Sequence, residues 1–117
     1  MPIRVVVIDD HALVRLALCR ALGALPDIAV AGTSGSVDDA VALVAATQPD
    51  VALVDQRLGR ERPVDRLVEF REASPATKLL VVTAWATRHG LESALAAGAR
   101  GVVSKSQRLD ELADGVR

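Results

Sequence analysis

The chain has 117 residues, with 14 basic and 15 acidic side chains and a net charge of −1. That length suits one domain able to bury a core without metal or disulfide staples, and the balanced charge gives no support for this segment itself binding nucleic acid or an anionic membrane. The single cysteine, Cys19, excludes an internal disulfide, and no apolar run is long enough to span a membrane.

Half of the residues are apolar, yet Phe70 and Trp85 are the only aromatics, so the core must be built from Val, Leu, Ala and Ile. The first strand is predicted at about Arg4 to Ile8, and it ends in Asp9-Asp10. A helix follows from His11 to Leu25, with Leu13, Val14, Ala17, Leu18, Ala21 and Leu22 as one stripe at helical spacing, ended by Gly23 and Pro26. Cys19 lies in this apolar run and is expected to be buried by packing. Ile28 to Gly32 reads as a second strand, and Thr33-Ser34-Gly35 as a turn. Ser36-Val37-Asp38-Asp39 has the form of a capping box opening a helix to about Thr47. Pro49-Asp50 breaks that helix.

Val51-Ala52-Leu53-Val54 then forms a third strand that stops abruptly at Asp55. A short apolar run bounded by turn signals suits a strand buried on both faces, as in a parallel sheet. The loop Gly59 to Arg62 leads to Pro63 in the first turn of a helix running to about Ala73. Lys78 to Thr83 is the fourth strand. Arg88 to Ala97 is the fourth helix, with Gly98 at its C′ position. Gly101 to Ser104 is the fifth strand, followed by Lys105, and Leu109 to Arg117 begins a fifth helix of about two turns. A helix this short reads as truncated, so the chain is expected to be the front part of a longer protein. Its opening, a strand ending in acid, does not read as a signal peptide, and a soluble cytoplasmic domain is expected.

Five βα units with right-handed crossovers imply an α/β fold. The natural arrangement is a flavodoxin-like, doubly wound five-stranded parallel sheet of order 2-1-3-4-5. In that order the first and third strands are neighbours, so Asp9, Asp10 and Asp55 share one cleft at the carboxyl ends of the strands, and Thr83 and Lys105 reach the same rim. Three carboxylates in one pocket need a cation. Oxygen donors of this kind point to Mg²⁺, held by Asp9, Asp10 and Asp55, with the backbone carbonyl of Arg57 as a further ligand. A carboxylate can attack a phosphoryl group to form an acyl phosphate, and Asp55 is the expected nucleophile. The Thr83 hydroxyl and the Lys105 ammonium would meet the phosphoryl oxygens.

The set Asp9-Asp10, Asp55, Thr83 and Lys105, each at a strand end, resembles the CheY-like receiver domains of two-component response regulators across the whole chain. The strings IDDHALVR, PDIAVAG and PDVALVD are similar to the NarL/FixJ (LuxR-type) class. The resemblance implies a receiver over residues 1–117 in phosphorelay signal transduction, with Asp55 phosphorylated by a histidine kinase in the presence of Mg²⁺. It implies a switch at Thr83 felt by the face formed by the fourth helix, fifth strand and fifth helix. It further implies homodimerisation on phosphorylation and transcription regulation through a C-terminal DNA-binding helix-turn-helix domain outside this chain. No enzymatic role is implied beyond self-catalysed phosphoryl transfer and hydrolysis.

Several positions depart from that pattern. Gly59 and Arg62-Pro63 stand where proline and Asp-Gly are usual, Val102 where an aromatic switch residue is usual, Ser106 where proline often follows the lysine, and Gln56 where an apolar residue is common. Arg57, Arg60, Arg62 and Arg66 make the loop basic. It reads either as a solvated segment offset by Glu61 and Asp65 or as a source of an arginine that folds over the site. These departures motivate an alternative, a receiver-like interaction module that no longer switches by phosphorylation. A phosphohydrolase is disfavoured, because Arg57 occupies the place two residues after Asp55 where a second acid is usual. His11 reads as the start of the first helix, His89 as an exposed residue of the fourth. Trp85 is either a partner-facing anchor or a cover for the cleft.

Overall fold

The computed structural model describes residues 2–83, 87–104, 114, 116 and 117. Trp85, Lys105, Ser106 and most of the fifth helix expected from Leu109 lie outside the described residues. The elements are β1 (Ile3–Ile8), α1 (Ala12–Gly23), β2 (Ile28–Ser34), α2 (Val37–Thr47), β3 (Val51–Asp55), a 3₁₀ turn (Pro63–Arg66), α3 (Leu67–Ala73), β4 (Lys78–Thr83), α4 (Arg88–Ala97) and β5 (Gly101–Ser104). All neighbouring strands pair in parallel, and the sheet order is β2-β1-β3-β4-β5.

Alternation along the strands divides the core into two layers. Val6, Ile8, Ala52, Val54, Leu79 and Val81 meet Val37, Ala40 and Val44 of α2, Leu67 and Phe70 of α3 and Ala94 of α4. Val5, Val7, Val51, Leu53, Leu80, Val82 and Val103 face the other way, towards Leu22 of α1 and Val116. Every β3 residue is therefore buried, which is why its sequence is a continuous apolar run without alternation.

The structure departs from the sequence expectations in three places. The α1 stripe is only partly inward: Leu22 is buried and Leu18 and Cys19 are partly buried, whereas Leu13 is 82% exposed. Apolar residues ring this helix, so their spacing sets its period but leaves its rotation open. Burial pushes the Cys19 thiol up against the opposing influence of Arg15. Second, β2 continues through Thr33 and Ser34, beyond the turn expected there. The register against β1 shifts between Val5 and Val6, and the Asp9 N–H donates to the Ser34 carbonyl at 3.0 Å. Third, Pro63 opens a 3₁₀ turn, and α3 proper starts at Leu67.

Helix ends follow the sequence closely. Ser36 caps α2 by accepting the Asp39 N–H at 3.3 Å, and Thr87 caps α4 by accepting the Gly90 N–H at 3.0 Å. Gly98 ends α4 at φ 110°, a left-handed conformation, and a Cβ there would lie 2.7 Å from Arg71 Cδ. The flexible Arg71 side chain can withdraw, but the backbone strain cannot be relieved. Gly98→Ala is therefore expected to destabilise the chain by about 1–2 kcal/mol, read as a lower urea midpoint at unchanged slope.

Arg66 ties α2 to the loop before α3. Its guanidinium donates to Asp38 at 2.6 Å, Glu61 at 2.8 Å and Glu69 at 2.9 Å. The hydrogen bond from Arg66 holds the Glu69 carboxyl below its usual range. A depressed carboxylate pKa contributes stability above the unfolded pKa, and that contribution is lost as pH falls through the folded value. Arg66→Gln is thus expected to lower the melting temperature at neutral pH, with a smaller difference in acid. A carboxyl-carbon NMR titration should show Glu69 returning towards the ordinary range in that variant.

Candidate functional site

The carboxyl ends of β1 and β3 are adjacent because Val5–Ile8 pairs with Val51–Val54. Asp9 and Asp55 are the next residues on each strand, and both are buried, at 2% and 6% exposure. Asp9 turns the chain: its Oδ1 accepts the His11 N–H at 2.8 Å, a local turn that starts α1. Arg15, one turn into α1, donates to the Asp9 carbonyl at 2.6 Å and holds the same corner from outside.

Asp10 is more exposed and is positioned by a different loop. Its Oδ2 accepts the Gly59 N–H at 2.8 Å. Leu58 and Glu61 exchange hydrogen bonds at 3.0 and 2.9 Å around a two-residue turn, with Gly59 at φ 61°. Glycine suits that conformation. A proline at 59 could neither adopt it nor donate to Asp10. The departure at Gly59 therefore changes how the second acid is held.

One ligand atom from each of Asp9, Asp10, His11 and Asp55 lies within 4.8 Å of the others. This fits a hard divalent cation, since three donors are carboxylate oxygens and two of the acids are removed from water. His11 is the residue that sequence reasoning set aside. It is the N-cap of α1 but makes no side-chain cap, and its Nδ1 lies 3.3 Å from Asp10 Oδ1 and 3.5 Å from Asp9 Oδ1. The only available signal was its place directly after the acidic pair.

Thr83 ends β4, 4% exposed, where Asp55 pairs with Val82 and Thr83 with Ser104. Its hydroxyl donates to Gln56 Oε1 at 2.6 Å. The Arg57 N–H faces Asp55 Oδ1 at 3.5 Å, which places Arg57 on the loop bordering the acid. Lys105 follows Ser104 directly but lies outside the described residues. Val102 is half-buried against the α2–α4 layer. Arg66, paired with three carboxylates, takes the first of the two roles considered for the basic loop, a charged segment offset by acids.

The model of the response regulator receiver domain family matches residues 5–117. The chain belongs to that family. This receiver is 36% identical over 115 residues to the DNA-binding transcriptional activator DevR/DosR of Mycobacterium tuberculosis, over 98% of this chain and 53% of that protein. It is 29% identical over 117 residues to the response regulator protein VraR of Staphylococcus aureus, over 100% of this chain and 56% of that one. The receiver domain of the putative response regulator NarL from Mycobacterium tuberculosis superposes with a TM-score of 0.90 at 31% identity, covering 98% of this chain and 93% of that one. The receiver thus spans about half the length of the curated relatives it matches. No helix among its described residues is long and apolar enough to cross a membrane.

Proposed function

We propose that this receiver accepts a phosphoryl group on Asp55 from a histidine kinase and relays the change to a C-terminal DNA-binding domain. The observation that carries this reading is the buried Asp55 at the carboxyl end of β3, with a carboxylate oxygen in reach of those of Asp9 and Asp10.

Asp9, Asp10 and Asp55 would hold Mg²⁺, joined by the Arg57 backbone carbonyl. When bound, the ion supplies neutralising charge to the transferring phosphoryl group. The protein's own part is positioning. The β3 strand fixes the Asp55 carboxylate as nucleophile, with one face closed by the sheet. The Gly59 N–H and the turn at Asp9 hold the acid pair at that carboxylate. The Asp55 oxygen attacks phosphorus in line, and the leaving group departs on the opposite side, giving an acyl phosphate. Thr83 and Lys105 would then donate to the new equatorial oxygens, which bring about −1.5 to −2 of charge that needs donors. Chemistry beyond this transfer and its reversal by hydrolysis is not required of the chain.

Dimerisation would follow from rearrangement of the α4–β5 face, and a DNA-binding segment beyond residue 117 would give the transcriptional output in the cytoplasm. The test is titration with acetyl phosphate or beryllofluoride in the presence of Mg²⁺, followed by amide NMR and light scattering. Shifts clustered at Asp9, Asp55 and Thr83, with dimer formation, are expected. An unchanged spectrum would favour the interaction-module alternative.

A further inference from the structure

We propose that Gln56 is a positioning residue that withholds Thr83 from Asp55, so that an incoming phosphoryl group must compete with Gln56 for the Thr83 hydroxyl proton. The inference rests on the phosphoacceptor reading of Asp55.

The geometry begins in the backbone. The β3–β4 ladder does not stop at Asp55: the Gln56 N–H donates to the Val82 carbonyl at 2.8 Å. Gln56 is therefore pinned opposite the peptide that leads into Thr83. From there its side chain reaches across the strand tips, and Oε1 accepts the Thr83 hydroxyl at 2.6 Å. A hydroxyl carries one proton, and in this state that proton points at Gln56.

Thr83 is β-branched and buried, so its side chain has few rotamers, and exchange between Gln56 and a phosphoryl oxygen is a discrete step. An apolar residue at 56 offers no acceptor. Gln56 itself is exposed, so replacing it leaves no cavity in the core. The resting contact acts against activation, and its removal should favour the phosphorylated geometry. The expected size is that of one net hydrogen bond, roughly 2- to 10-fold in an equilibrium constant.

The experiment measures beryllofluoride affinity with Mg²⁺ by calorimetry for the wild-type chain, Gln56→Leu, Thr83→Ala and the double variant. Melting curves confirm that each is folded, and three-bond couplings to the Thr83 methyl report its rotamer. Gln56→Leu should bind about 2- to 10-fold more tightly, with Thr83 couplings that differ from those of the wild type before ligand is added. The gain should vanish in the Thr83→Ala background. Unchanged or weaker affinity in Gln56→Leu, or the same gain without Thr83, overturns the proposal. Wild-type protein that fails to bind beryllofluoride instead overturns the reading of Asp55, and this proposal with it.

Discussion

Asp55→Asn is expected to abolish phosphoryl acceptance while leaving the fold intact. Intact-mass measurement after acetyl phosphate and Mg²⁺ should show one added phosphoryl group on the wild-type chain and none on the variant. The reason is chemical: a carboxylate oxygen attacks phosphorus, whereas a neutral amide oxygen is a far poorer nucleophile whose adduct has no stable acyl phosphate form. The substitution is nearly isosteric and Asp55 sits at the end of a buried strand, so packing barely changes. Hydroxylamine, which cleaves acyl phosphates, should remove the added mass from the wild type. Labelling that persists in Asp55→Asn, or resists hydroxylamine, would move the acceptor to another residue.

The second large effect is expected at Asp9. Asp9→Asn should remove most of the affinity for Mg²⁺ and with it the thermal stabilisation the ion confers. Loss of an outer hydrogen-bond partner of a metal ligand already costs roughly 10–100-fold in affinity, and loss of a buried direct carboxylate should exceed that. For the wild type, ion at about 100 times its dissociation constant should stabilise the fold by about 2.7 kcal/mol. The asparagine oxygen can still accept the His11 N–H, so the turn into α1 is retained. Melting curves with and without Mg²⁺ separate the outcomes: a rise for the wild type and little or none for Asp9→Asn. Equal rises in both would place the ion elsewhere. Asp10→Asn should act more weakly, because that carboxylate is more exposed and reaches the site from the side held by Gly59.

The acid cluster was legible in the sequence because buried parallel strands must stop where polar groups begin. Asp9 and Asp55 each follow a run of apolar residues, and the crossover rules leave few orders that separate those runs. Thr83 was legible for the same reason, at the end of KLLVVT. Gly98 declared itself as a glycine closing a helical pattern, and Ser36 as the first residue of a capping box. Local signals of this kind act over a few residues, where one side chain has one dominant use.

Other features needed three dimensions. The inward face of α1 was not decidable from its pattern, since apolar side chains surround the helix and only contact with the sheet chooses among them. His11 joined the acid cluster because the Asp9 turn aims it there, which composition at positions 9–11 does not specify. The Gln56–Thr83 bond spans strands separated by 27 positions and depends on how far the β3–β4 ladder runs. Gly59 reads as a missing proline until its N–H is seen on Asp10, 49 positions away.

By itself, then, the sequence determined the strand count and the three acids at the strand tips, because apolar run lengths and turn residues are local and act independently, and the crossover rules narrowed the parallel order to a natural choice. The tertiary structure alone decided which neighbours orient those acids and which side chain holds Thr83. Such contacts depend on helix rotation, ladder length and loop path, and those are set jointly by the whole packed core.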